Sequence, residues 1–348
     1  PPRSTLFPYT TLFRSIICIL PFFILSCSIT SEGKYRDLLE DYVEGEVNNT
    51  SVITEAILES FSLLSVNSDN FYFNKSTVIT GSGGDISLVY PLEVKLNADK
   101  IISDNILYAD AGQNRIVLGN SKGFCVFDIE GDPVNVYMAD KKERIDASAI
   151  RGDNAVFLSG GRIQELSEEE KKVKKIDPGL YNPPYKKLFR SAMISNDKYY
   201  GLITGIAGSY YINIFDAASG SSLVKNIASS SFEFSIKDND VLYVRGGTGV
   251  WSVVRFEIPI KKRNEVKKLG KISDVFIGES GFIYINEKRT YIETFEGEKW
   301  EAPAEFDVRG ICRDSALVQY KGKTYIIEFN VLYERLKEFS QAKLLKKG

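Results

Sequence analysis

The chain has 348 residues, 43% hydrophobic and 26% charged, with a formal net charge of −2 and no histidine. Without histidine there is no Ser-His-Asp or Cys-His constellation, no usual catalytic zinc set and no ready proton shuttle near neutral pH. The near balance of charge also lacks the clustered positive excess that a nucleic-acid partner requires.

Residues 1–15 open Pro1-Pro2-Arg3-Ser4 and continue Thr5 to Ser15, a string that resembles one reading frame of a common sequencing adapter; they are expected to be foreign to the protein. Residues 16–26 hold an apolar run from Ile16 to Leu25, about half the roughly 20 residues of a membrane-spanning helix and the right length for the h-region of an export signal. Ile24-Leu25-Ser26-Cys27 resembles the lipobox of bacterial lipoproteins. The resemblance implies cleavage before Cys27, a diacylglycerol thioether on its sulfur, and a cell-envelope location. Ser28 at the next position, in place of Asp, points to the outer membrane. With residues 1–26 set aside, 322 remain, carrying 42 basic and 46 acidic side chains.

Residues 27–67 read as the lipidated tether followed by two short helices. Tyr35, Leu38, Leu39, Tyr42 and Val43 fall at helical spacing, and so do Ile53, Ile57, Phe61 and Leu64. Gly45 and Asn48-Asn49-Thr50-Ser51 separate the two stripes. Such stripes are expected to pack on the adjoining domain.

From residue 68 to 335 a unit recurs: a short apolar strand, a turn usually carrying Gly, and a second strand. In most units the second strand ends in Phe and an acidic or polar residue. The leading strands begin at Val78, Ile116, Ala155, Tyr199, Val241, Phe282 and Ala316, 34–44 residues apart. The second strands end at Phe127-Asp128, Phe215-Asp216, Phe256-Glu257, Phe295-Glu296 and Phe329-Asn330. A period near 40 with room for four strands is that of a β-propeller blade. The expected fold is therefore all-β, with seven blades, or six if the degenerate first unit only completes the last. Residues 336–348 read as a basic C-terminal tail.

Phe127-Asp128-Ile129-Glu130-Gly131 and Phe215-Asp216-Ala217-Ala218-Ser219-Gly220 resemble the turns of quinoprotein-type, BamB-like propeller repeats. The resemblance implies the architecture and not the quinone, because the regular blade tryptophan is missing and only Trp251 and Trp300 are present. No cofactor is expected.

Candidate sites are few. Tyr181 and Tyr185 flank Asn182-Pro183-Pro184 in the longest interval between units, where prolines stiffen the chain and tyrosines offer rigid amphipathic contact; a connector across a propeller face explains them as well. Lys261-Lys262-Arg263, Lys267-Lys268 and Lys343, Lys346 and Lys347 are read as lipid-contacting groups or as solvated turns. Asp128, Glu130 and Asp132 lack the ligand pattern of a calcium loop, so no metal is expected. Cys125 and Cys312 are expected to be buried free thiols. Two functions compete. One is a non-enzymatic binding or scaffold lipoprotein, held to membrane lipid by acylated Cys27 and recruiting an envelope protein. The other is a glycan-active enzyme with paired carboxylates in the propeller funnel.

Overall fold

The computed structural model describes residues 35–46, 50–59, 66–67, 71–73, 76–82, 85–97, 106–169, 171–177, 190–206, 208–247, 249–303 and 306–347. Seven four-stranded antiparallel sheets form the larger unit, Leu64–Asn330. Six are built from consecutive strands, over residues 71–96, 108–138, 145–177, 190–229, 234–270 and 274–301. The seventh takes three strands from residues 307–328 and its outer strand from Val66–Asn67, which pairs Val66 with Thr324 and Asn67 with Lys323. The chain thus closes its own ring. The degenerate first unit forms a whole blade, and a strand ahead of it completes the last, so the count is seven.

The leading strand of each sequence unit is the second strand of a blade, such as Ile116–Asn120 or Asn154–Ser159, and the Phe-acid strand is the third. Blades stack face to face, so these middle strands are covered on both sides and read as continuous apolar runs. Ile116–Asn120 and Gly123–Phe127 are buried at every position. The outer strands face solvent: Lys262–Gly270 exposes or half-exposes every residue but Leu269. Each core cluster joins two neighbours. Ile79, Leu88 and Leu96 of the first blade meet Ala109, Leu118 and Phe127 of the second, and Val78 of the first meets Cys312 and Leu317 of the seventh. A fully buried side chain of this size contributes about 1.5–3 kcal/mol. Cys125 and Cys312 are buried thiols outside any disulfide, in different clusters.

Most of the described turns between second and third strands use left-handed backbone, as at Gly160 and Gly161. In the sixth blade Glu287 and Lys288 supply it without glycine, at φ 50° and 66°. This explains why the Gly-turn signal fades there while the hairpin persists.

The smaller unit is helical. Residues 35–44 and Thr50–Glu59 are helices, joined in the same unit by Val331–Gly348, most of the 19-residue helix Phe329–Lys347. The expected pair of N-terminal helices is therefore an incomplete account, and the segment read as a basic tail is part of the longest helix among the described residues. The Tyr35 hydroxyl donates to the Arg335 carbonyl at 3.0 Å. Arg335 lies over the Tyr35 ring at 4.7 Å and pairs with Glu338 at 3.0 Å. Tyr42 packs against Phe339, with Lys346 4.1 Å from its ring centre. Tyr35 and Tyr42 of the first stripe are thus covered from within the helical unit. Among the described residues no helix is long and apolar enough to cross a membrane.

Candidate functional site

The turns that follow the inner strand and those that follow the third strand emerge on the same face of a propeller. On that face the second, third and fourth blades enclose a polar recess of about 880 Å³. Its walls are Gly112 to Asn114, Arg151 to Asn154, Ser167 to Glu169 and Ser195 to Asp197, with Arg313 reaching in from the seventh blade.

Each wall is held by local chemistry. Asn196 closes an Asx turn, its Oδ1 accepting from the amides of Lys198 (2.9 Å) and Tyr199 (2.8 Å). Arg115 binds Glu168 in a fork, at 2.5 and 2.7 Å, which raises the arginine pKa and lowers that of the carboxyl. Arg151 donates to the Ala218 carbonyl at 3.2 Å and pairs with Glu165 at 3.2 Å. Arg313 donates to the carbonyls of Ser76 (3.2 Å) and Ala111, linking the seventh blade to the first and second. The arginines at the recess are therefore all engaged within the fold. Glu169 and Asp197 are exposed on the rim, and among the described residues neither makes a hydrogen bond or ion pair. Asp153, also exposed, accepts among the described residues only from Asn114, at 3.4 Å.

Beneath the recess lies a pocket of about 20 Å³, room for one water, bordered by Ser76, Ser195, Ser235, Glu279 and Arg313 with Ile194, Phe234, Ile236 and Ile277. Asp110, on an inner strand and 1% exposed, accepts from the Ile150 amide (2.8 Å) and the Ser195 hydroxyl (3.2 Å) on Oδ2. Its Oδ1 is buried without a hydrogen-bond partner. Burial, then the neighbouring Asp314 carboxylate, raises the Glu279 pKa, with Arg313 acting against them. A carboxyl whose folded pKa is raised destabilises the fold above that pKa and has no effect below its unfolded value, where both states are protonated. Glu279→Gln should therefore melt higher than the parent at pH 7, with the difference gone near about pH 4. Melting curves at the two pH values check this; an equal gain at both would contradict it.

Cys27, Tyr181 and Tyr185 lie outside the described residues. Of the basic candidates, Lys267 is held by Glu293 at 2.8 Å. The Asp128 carboxylate accepts from the amides of Glu130 and Asp132 at 3.1 and 2.9 Å, the work of a turn former. Among the described residues no group of three metal-ligating side chains comes together. Arg313 has no signal in the sequence beyond its place in the polar stretch Arg313-Asp314-Ser315. Asp110 carried one usable signal, a charge inside the small, apolar strand Tyr108–Ala111.

No protein-family model matches the chain, and no curated protein matches it in sequence. Solved structures do resemble it. Oligogalacturonate lyase from Vibrio parahaemolyticus is 11% identical over 76% of this chain and 90% of its own, with a TM-score of 0.51. BamB from Moraxella catarrhalis, a β-propeller, is 12% identical over 77% and 98%, with a TM-score of 0.44. The Pan2 WD40 domain from Neurospora crassa is 12% identical over 76% and 91%, at 0.47. At such identities the likeness concerns the fold alone.

Proposed function

We propose that this chain is a lipid-anchored binding module of the bacterial cell envelope, holding a protein partner on the recessed face of its propeller. The recess carries the reading. It is large enough for a peptide segment or side-chain cluster, its arginines are engaged internally, and its rim offers Asp153, Glu169 and Asp197 to a partner. That pattern fits a partner surface bearing lysine or arginine. Export and anchoring rest on the Ile24-Leu25-Ser26-Cys27 pattern, with acylation at Cys27 and an outer-membrane destination as its consequences. The competing glycan-active reading draws on Asp110, on an inner strand, and Glu279, in the turn after another. The pocket that Glu279 borders holds about one water, whereas ligand sites run to roughly 300–1,000 Å³.

Crosslinking in native envelopes tests the binding role. The parent chain should capture a protein partner, and Asp153→Asn, Glu169→Gln and Asp197→Asn together should reduce capture about tenfold, the loss of roughly 1.4 kcal/mol over three exposed contacts. Undiminished capture would move the partner away from this face. Radiolabelled palmitate tests the anchor separately, since Cys27→Ala should abolish labelling.

A further inference from the structure

A second cavity, of about 470 Å³, opens on the fifth blade, remote in chain and charge from the recess. It is lined by Arg245, Gly246, Val250, Ser252, Val254, Arg263 and Glu265. Strand register explains how these groups meet. Arg245 lies opposite Ser252, which lies opposite Lys268; Val254 lies opposite Glu265, and Phe256 opposite Arg263. Directly opposed residues share a face, so two arginines and a lysine share this one with a single carboxylate.

Elsewhere the propeller pairs several arginines with carboxylates, as at Arg115–Glu168, Arg151–Glu165 and Arg255–Asp240. Here it does not. Among the described residues neither Arg245 nor Arg263 has an ion pair, and Glu265 accepts instead from the Ser252 hydroxyl at 2.8 Å. Below them the Tyr243 side chain is fully buried, its hydroxyl beside Arg263 without a well-formed hydrogen bond. Burial raises the phenol pKa, while Arg263 and Arg245 oppose the rise, so both guanidinium groups act on one point. Charged residues on an outer strand also deter edge pairing. That role is met by any charge, and does not require two unpaired arginines around one cavity.

We infer that this cavity is an oxyanion site that takes a phosphate group between Arg245 and Arg263. Guanidinium groups match phosphate oxygens in forked, charge-assisted hydrogen bonds. The surplus of positive charge lining the cavity, two arginines against one carboxylate, favours a multiply charged oxyanion over a single carboxylate. The phosphate belongs either to a free anion or to a phospholipid headgroup, and the chemistry at the arginines is the same.

The test uses the full chain with two probes: inorganic phosphate, followed by calorimetry, and vesicles of phosphatidylglycerol against vesicles of phosphatidylcholine, followed by flotation. To separate the site from the lipid anchor, the parent and all variants carry Cys27→Ala. Binding of phosphate that falls at least about tenfold in Arg245→Gln/Arg263→Gln supports a free-anion site, a charge-assisted bond being worth roughly 1.5–3 kcal/mol. Flotation with phosphatidylglycerol alone, lost in the same variant, supports a headgroup site. Glu265→Gln removes the local negative charge and should tighten binding of whichever probe is held. Failure of both probes, binding unchanged by the arginine substitutions, or weaker binding in Glu265→Gln would overturn the inference. Thermal melting of the variants confirms that a loss is not unfolding.

Discussion

Gly131→Ala should lower the unfolding free energy by about 3 kcal/mol, the sum of a left-handed backbone penalty of 1–2 kcal/mol and a broken inter-blade contact. Gly131 sits at φ 93° in the turn between the third and outer strands of the second blade. A Cβ there would meet the Lys95 carbonyl oxygen, well inside contact distance, and come within 3.1 Å of Val94. Neither neighbour can yield cheaply. The obstacle is backbone of the first blade, and Asn97 beside it donates its amide to the Gly131 carbonyl at 3.1 Å and its Nδ2 to Asp132 at 2.8 Å. Gly249 provides the control: it too is left-handed, at φ 83°, but a Cβ there meets nothing within 4 Å. Gly249→Ala should cost only the backbone penalty, about 1 kcal/mol. Urea titrations of the two variants check the contrast, and equal midpoints would show that the blade contact contributes nothing.

Arg313→Met should destabilise the propeller by a similar amount, about 2–4 kcal/mol, because a buried carbonyl deprived of a charged donor keeps its desolvation cost. One guanidinium binds carbonyls of the first and second blades from the seventh. It therefore ties the ends of the ring at the axis, as Val66–Asn67 ties them at the rim. The adjacent Asp314 continues the tie to the sixth blade, accepting from the Ser280 amide (2.9 Å) and hydroxyl (2.6 Å). Arg313→Lys keeps the charge but offers a single ammonium where two carbonyls are served, so it should recover less than half the loss. A chemical-denaturation series over the three proteins measures this. A lysine variant as stable as the parent would mean that charge alone, and not the fork, holds the ring.

The two motif turns show how far reading along the chain could go. Phe127 to Gly131 and Phe215 to Gly220 stood out because they repeat, and repetition was enough to reach blades. What their glycines do was not readable. Gly131 abuts Lys95 of the preceding blade, and Gly220, at φ 71°, abuts Ile176 of its own preceding blade. Each is a point of close approach between segments some 40 residues apart.

The period, the middle-strand hairpins and the all-β class were legible from residue order alone, because burial on both faces writes itself into continuous apolar runs and tight turns demand particular residues. Closure by Val66–Asn67, the helix Phe329–Lys347 joining residues 35–44, the recess around Asp153, Glu169 and Asp197, and the cavity between Arg245 and Arg263 were not. These depend on which blades become neighbours and on which charges find partners across them. Such long-range pairings leave no local period in the chain, so only the closed ring decides them.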